Sequence, residues 1–135
     1  MGFEKFGEIS YIAETKVSDF VKHLEEGEIA ATKCKACGKL YFPPRADCID
    51  CLSSAVEWIP LGGRGKLITY TTAYFAPAGF EAPYTLALAE LEEGVRVFTR
   101  MSKDVKQDEI ELGMNVKLVP IRLADDRITY ELKKA

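Results

Sequence analysis

The sequence predicts a mainly β protein built from an N-terminal helical arm, a four-cysteine ribbon and a five-stranded barrel. The four cysteines stand in two closely spaced pairs, at 34–37 and 48–51. After the glycines of Gly62-Gly63-Arg64-Gly65, runs of β-branched and aromatic residues alternate with turn residues, and no helix-length amphipathic stretch follows. We interpret these glycines as a flexible joint. We therefore expect the arm at 1–27, the ribbon at 28–61 and the barrel at 62–135 of the 135 residues.

A short amphipathic helix is predicted over about 17–26. Its apolar residues recur at i, i+3, i+4 and i+7, and they are Val17, Phe20, Val21 and Leu24. Gly27 follows as a left-handed C-terminal cap. The sole histidine, His23, lies near the end of this helix, and we interpret it as a solvated or capping residue.

The ribbon segment has too few large aliphatic residues for a hydrophobic core of its own. Its cysteines follow the pattern Cys34-x2-Cys37-x10-Cys48-x2-Cys51, in which two short turns each aim two thiolates at one ion. This spacing indicates a rubredoxin-like zinc ribbon. Four thiolate ligands leave no open position for water, so the zinc is expected to be structural, and its loss is expected to unfold the ribbon while the barrel survives. Iron is the alternative metal, because four thiolates bind it too.

Five strands are predicted after the glycines, over about 66–75, 84–91, 95–101, 115–123 and 127–132. Short turns at Glu92-Glu93-Gly94 and at Ala124-Asp125-Asp126 indicate two antiparallel hairpins. Apolar and polar residues alternate in the third and fifth strands, so one face of each is expected to be buried. Five strands in about seventy residues suit a small closed barrel of the OB type. An open meander and an SH3-like barrel are the alternatives.

Composition disfavours several functions. The net charge of −3 offers no attraction to phosphate backbones or anionic lipids, and the two barrel loops that bind single strands in many OB folds are acidic or neutral here. We therefore expect no nucleic-acid partner. No stretch resembles a signal peptide or a membrane span, so a cytoplasmic location without membrane association is expected. The sequence contains neither Gly-x-Ser-x-Gly nor His-Glu-x-x-His, which makes enzymatic activity the less favoured interpretation.

Aromatic residues cluster in two loops, one between the cysteine pairs at 41–45 and the other around the first barrel loop at 74–84. If these rings are exposed together, they form a surface for a partner protein or for a ligand with an apolar arm and a phosphate end. The alternative is that they bury the ribbon against the barrel. The candidate ligand contacts are Phe42, Tyr74, Phe75, Phe80 and Tyr84 for the apolar arm and Arg45 for phosphate.

Three motifs in order carry a resemblance over nearly the whole chain. They are Cys-x2-Cys-Gly at 34–38, Phe-Pro-Pro-Arg at 42–45 and Gly-Met-x-Val at 113–116. Through these motifs the chain resembles the zinc-ribbon plus OB-fold family of thiolase-associated, acyl-CoA-binding accessory proteins. The resemblance implies a non-catalytic companion of a thiolase-like or hydroxymethylglutaryl-CoA synthase-like enzyme, with an acyl-CoA ligand and a role in acyl-CoA, lipid or isoprenoid metabolism. A nucleic-acid-binding ribbon protein and a subunit of a CoA-thioester hydratase or aldolase are the alternatives.

Overall fold

The computed structural model describes residues 3–8 and 15–135. Residues 1–2 and 9–14 of the predicted arm lie outside the described residues. Over the described ranges the chain forms one α-helix and eight β-strands. The elements are α1 (Asp19–Glu25), β1 (Ile29–Cys34), β2 (Leu40–Tyr41), β3 (Val56–Leu61), β4 (Arg64–Ala73), β5 (Tyr84–Leu91), β6 (Arg96–Arg100), β7 (Asn115–Leu123) and β8 (Arg127–Lys134). The predicted helix is confirmed but begins two residues later, and each predicted barrel strand is present within two residues at either end.

Helix α1 buries its predicted apolar face and ends in a Schellman motif. Phe20, Val21 and Leu24 are all buried. Gly27 has a φ of +83°, and its amide donates to the carbonyl of Leu24 while the amide of Glu28 donates to that of His23. Glycine is favoured at this position because residues with a Cβ adopt a positive φ less readily. No helix in the described part of the chain is long and apolar enough to cross a membrane.

The ribbon is a three-stranded antiparallel sheet in the order β2-β1-β3. Thr32 in the central strand lies between Tyr41 and Trp58 on its two neighbours. Strand β1 is buried at five of its six positions and ends at Cys34. The first metal-binding turn is therefore attached directly to the most buried strand of the ribbon.

The barrel has the strand order β6-β5-β4-β7-β8, with every neighbouring pair antiparallel. A parallel bridge between Met101 and Leu132 brings the two ends of this sheet together and nearly closes it. This is the connectivity of an OB fold, so that prediction is confirmed. Val97, Ile128 and Leu132 on the inner face are buried, as the alternation predicted.

One hydrophobic core joins the arm, the ribbon and the barrel. Phe20 of α1 and Phe42 of the ribbon belong to the same buried cluster as Leu118 and Leu132 of the barrel. The ribbon is therefore packed onto the barrel by shared apolar side chains, and its stability is coupled to that of the barrel.

The glycines between ribbon and barrel serve close packing, and the interpretation as a flexible joint is wrong. Gly65 lies inside β4, paired with Leu91 on one side and Val116 on the other. A Cβ at this position would stand 2.3 Å from the carbonyl oxygen of Glu90. Only glycine allows the strands to approach this closely.

Candidate functional site

The four cysteines come from two turns of the same form. The amide of Gly38 donates to the carbonyl of Cys34, and the amide of Leu52 donates to the carbonyl of Cys48. Both Gly38 and Leu52, four residues after the first cysteine of each pair, have a positive φ. This repeated geometry turns both cysteines of each pair toward one point, which the sequence spacing predicted.

The four sulfur atoms surround a volume that suits one tetrahedral ion. Cys34 Sγ lies 3.4 Å from Cys51 Sγ, and Cys37 Sγ lies 3.5 Å from Cys48 Sγ. All four sulfurs lie within 4.8 Å of one another. Zinc–sulfur bonds of about 2.3 Å in a tetrahedron place sulfurs about 3.8 Å apart. The donor set therefore fits zinc, which when bound would cross-link the two turns and hold no water.

The pKa values of the thiols also indicate a site that suits a cation. Hydrogen bonds from the Cys51 amide and the Tyr41 hydroxyl lower the pKa of Cys48 to about 6. The Ser53 amide favours the Cys51 thiolate, but hydrogen bonding to Cys34, burial and the other two cysteines together outweigh it and raise the pKa of Cys51 to about 12. Four thiolates at this separation cannot all be charged without a cation between them, and a divalent ion removes that conflict.

Tyr41 is a supporting residue that the sequence analysis did not assign to the metal site. Its ring is buried, its hydroxyl lies 3.2 Å from Cys48 Sγ, and the same oxygen accepts the Ile49 amide at 3.0 Å. Hydrogen bonds of this kind orient a metal ligand. On the surface, the Lys39 ammonium donates to Asp50 at 2.9 Å and so links the two turns.

Phe42 was predicted to be a ligand contact, but the structure buries it in the core between ribbon and barrel. It is only 7 % exposed, and its ring lies 5.8 Å from Phe20 and 5.3 Å from Tyr130. For this residue the alternative interpretation is correct, because its ring helps to bury the ribbon against the barrel. The sequence Phe-Pro-Pro-Arg contains both apolar and charged residues, and it does not indicate which of them turns toward the core.

Arg45 is exposed, as a phosphate contact requires, but it lies beside the metal turns. Its guanidinium carbon stands 5.9 Å from the centre of the Tyr41 ring, and its amide donates to Thr32 Oγ1. No described contact joins Arg45 to the aromatic residues of the barrel loop. The shared surface predicted from the sequence is thus not assembled around Arg45.

The loop between β4 and β5 carries the exposed rings. Tyr74 is 65 % exposed and Phe75 is 91 % exposed. Phe80 and Tyr84 are less exposed, and they line a common cleft of about 260 Å³ with Arg100 and Tyr130. The structure therefore brings Phe80 and Tyr84 together, as predicted, and leaves Tyr74 and Phe75 projecting into solvent.

Arg100 is the cation that lines this cleft, and it was not among the predicted site residues. Its guanidinium lies 3.5 Å from Glu8 and 3.7 Å from Glu131, and less than a quarter of its side chain is exposed. Burial raises the pKa of Glu131, while the positive charge of Arg100 partly offsets this effect. Arg100 on β6 meets Glu131 on β8 because the barrel nearly closes, and Glu8 joins them from the N-terminal arm. No local sequence signal predicts either approach.

A second, more polar cleft of about 330 Å³ shares Tyr84 and Arg100 with the first. Lys103, Lys106 and Gln107 line its far side. Lys103 forms an ion pair with Glu81, which lowers the pKa of that carboxyl. An apolar cleft and a polar cleft therefore meet at Tyr84 and Arg100.

Two family models match consecutive parts of the chain. Residues 21–57 match the rubredoxin-like zinc ribbon domain of ChsH2, and residues 58–120 match the C-terminal OB-fold domain of ChsH2. The zinc ribbon predicted from the cysteine spacing is thereby confirmed, with structural zinc as the metal that the four clustered cysteines suit.

Similar proteins share most of this length. A DUF35 domain-containing scaffold protein of Methanocaldococcus jannaschii is 39 % identical, over 83 % of this chain and 84 % of its own. The benzoylsuccinyl-CoA thiolase subunit BbsA of Geobacter metallireducens is 33 % identical, over 76 % of this chain and 71 % of its own. Among solved structures, a chain of the Ltp2-ChsH2(DUF35) aldolase superposes with a TM-score of 0.78 at 27 % identity, covering 92 % of this chain and 98 % of that one.

Proposed function

Since this chain belongs to the ChsH2-type family of zinc-ribbon and OB-fold proteins, which includes the DUF35 scaffold proteins, we propose that it is a non-catalytic accessory subunit of an enzyme that acts on CoA thioesters. The observation that carries the proposal is likeness over nearly the whole chain to a subunit of a CoA-thioester thiolase and to a chain of an aldolase complex. The four-cysteine site supports a non-catalytic role, because zinc there would have no open coordination position.

The partner in this proposal is a thiolase-like or hydroxymethylglutaryl-CoA synthase-like enzyme. The loop between β4 and β5 is the candidate docking surface, since Tyr74 and Phe75 project from it without burial. Large aromatic side chains in this setting are typical of the central contacts of protein interfaces. Docking there would place the partner directly beside the cleft of Phe80 and Tyr84.

The ligand in this proposal is an acyl-CoA. The apolar cleft of Phe80, Tyr84 and Tyr130 suits the acyl or pantetheine arm, and the adjoining polar cleft supplies cations for the phosphate end. Arg45 lines neither cleft, so Lys103 and Lys106 replace it as candidates for phosphate, with Lys103 released from Glu81 on binding. In this role the chain would work in the cytoplasm, in acyl-CoA, lipid or isoprenoid metabolism.

Calorimetric titration of acetyl-CoA into the chain alone and into its complex with a partner tests the ligand. We expect binding to the complex, weakened by Tyr84→Ala and by Lys106→Ala. Lys35→Ala provides the matched control, because Lys35 is also exposed but lies next to the first cysteine. Absence of binding to both samples would contradict acyl-CoA recognition, and equal losses in all three variants would contradict the proposed clefts.

A further inference from the structure

Three potential metal ligands converge at the end of helix α1, apart from the four cysteines. They are the imidazole of His23 and the carboxylates of Glu26 and Glu28, and one ligand atom of each lies within 4.8 Å of the other two. We propose that this triad binds a second divalent transition-metal ion. The interpretation of His23 as a solvated or capping residue does not account for this convergence.

The turn after the helix creates the triad. The amide of Glu28 donates to the carbonyl of His23 at 2.8 Å, which folds the chain back across Gly27. His23 Nδ1 consequently lies 3.1 Å from Glu28 Oε2, although five residues separate them in the chain. The backbone turn thus brings the side chains of His23 and Glu28 together before any ion arrives.

A tryptophan supports the imidazole from the side. The rings of His23 and Trp58 have their centres 5.1 Å apart, and about a quarter of the His23 side chain is exposed. Glu28 is about half exposed. The imidazole is therefore oriented by packing and still reachable by an ion from solvent, which reduces the entropy lost on binding.

The electrostatics of the triad favour a cation. Two carboxylates approach each other at the carbonyl end of a helix, where positive charge is stabilising. Lys22, the nearest cation along the helix, forms an ion pair with Asp19, one turn toward the start of the helix.

One imidazole with two carboxylates suits Zn²⁺, Ni²⁺ or Cu²⁺, whereas four thiolates are the softer set. Three protein donors leave a tetrahedral ion one position for water or for a donor from another molecule. The triad site therefore differs from the cysteine site both in its donors and in being open.

The only tryptophan of the chain is the reporter for the test. Protein with zinc in its ribbon is titrated with Ni²⁺ at neutral pH while the emission of Trp58 is recorded. We expect saturable quenching at one Ni²⁺ per chain, reversed by excess Zn²⁺. Elemental analysis after the titration should show that the ribbon zinc is retained.

Variants separate the triad from unspecific quenching. Glu28→Gln keeps His23 beside Trp58, and we expect it to weaken Ni²⁺ binding by about tenfold or more, since even the outer-shell partners of metal ligands contribute 10- to 100-fold. His23→Gln should remove saturable quenching. Glu25→Gln removes the same negative charge as Glu28→Gln, but from the last residue of α1 and outside the triad, and it should leave the quenching unchanged.

Two results would overturn the proposal. One is no saturable quenching of the unaltered protein up to millimolar Ni²⁺. The other is equal quenching in the unaltered protein and in the Glu28→Gln variant, which would show that Ni²⁺ binds to the imidazole of His23 without the carboxylate of Glu28. Circular dichroism spectra of the variants verify that each is folded.

Discussion

Phe42 of the ribbon packs edge-on against Tyr130 of the barrel, with the ring centres 5.3 Å apart. Phe20 of helix α1 lies 5.8 Å from each of these two rings. One aromatic ring from the arm, one from the ribbon and one from the barrel thus meet at a single point. Tyr130 also lines the cleft of Phe80 and Tyr84, so the packing of the ribbon contacts the candidate ligand site directly.

Truncation of Phe42 should destabilise the whole protein. Phe42→Ala removes a buried ring and leaves a cavity between ribbon and barrel, so we expect a loss of about 3–5 kcal/mol in the free energy of unfolding, measured with urea. Phe98→Ala is the matched control, because Phe98 is 62 % exposed and should cost only about 0.5 kcal/mol. Similar losses in the two variants would show that Phe42 is not a core residue.

Removal of zinc should also weaken the barrel. The sequence predicts that the barrel survives metal loss, but in the structure the barrel shares one hydrophobic core with the ribbon. We now expect a chelator to lower the midpoints of ribbon and barrel unfolding together, because metal binding contributes folding free energy. Heteronuclear NMR spectra with and without chelator measure this directly; barrel resonances that do not change would contradict the coupling.

Cys34→Ser should abolish stoichiometric zinc in elemental analysis, because it removes the ligand that ends β1. Asp50→Asn should retain the metal, since it removes only the surface ion pair with Lys39. Unchanged zinc content in the cysteine variant would show that the four cysteines do not act as one site.

The local features of this protein were predictable from its sequence. Alternation in residues 95–101 and 127–132 predicted the buried faces of β6 and β8, and the two Cys-x2-Cys pairs predicted the metal turns. Each of these patterns involves residues that are close in the sequence, so each can be recognised without knowledge of the tertiary structure.

The features that depend on contacts distant in sequence were not predictable. Nothing near Phe42 indicates that it faces Tyr130, and nothing near Arg100 indicates that Glu8 and Glu131 surround it. The glycines at 62–65 were misinterpreted for the same reason, because the carbonyl that crowds Gly65 belongs to Glu90 on another strand.

Gly65→Ala should be strongly destabilising. Its new methyl group would overlap the Glu90 carbonyl at 2.3 Å, so we expect a loss of about 1–3 kcal/mol or more in urea unfolding. Gly62→Ala is the control, because a Cβ there meets only the Glu93 carboxylate at 3.6 Å. If the two variants lose equal stability, the glycines act through backbone flexibility after all.

The pH dependence of stability should reveal Glu131. Burial raises its pKa in the folded protein, so its protonated form favours folding, and this contribution is lost as the pH rises from the acidic range through the raised pKa. Arg100→Gln removes the offsetting positive charge and should raise that pKa further, which extends the loss toward neutral pH. Urea unfolding at a series of pH values measures the effect.

Arg96→Gln provides the comparison for this series. Arg96 precedes Arg100 in the same strand but forms an ion pair with Glu90 at 3.8 Å on the surface. Screening by solvent leaves such an ion pair little stabilising energy. We expect its pH profile to match that of the unaltered protein. A matching profile for Arg100→Gln as well would contradict the electrostatic link between Arg100 and Glu131.

Native purification from the source organism tests the accessory role most directly. The tagged chain and its Phe75→Ser variant are purified in parallel, with Leu112→Ser as a control for another exposed apolar residue, and the eluted proteins are identified and assayed for thioester turnover. We predict that a thiolase-like or hydroxymethylglutaryl-CoA synthase-like enzyme co-elutes in fixed ratio, that turnover requires this enzyme, and that Phe75→Ser alone reduces its recovery. Elution of the chain without any enzyme that uses CoA thioesters would contradict the account.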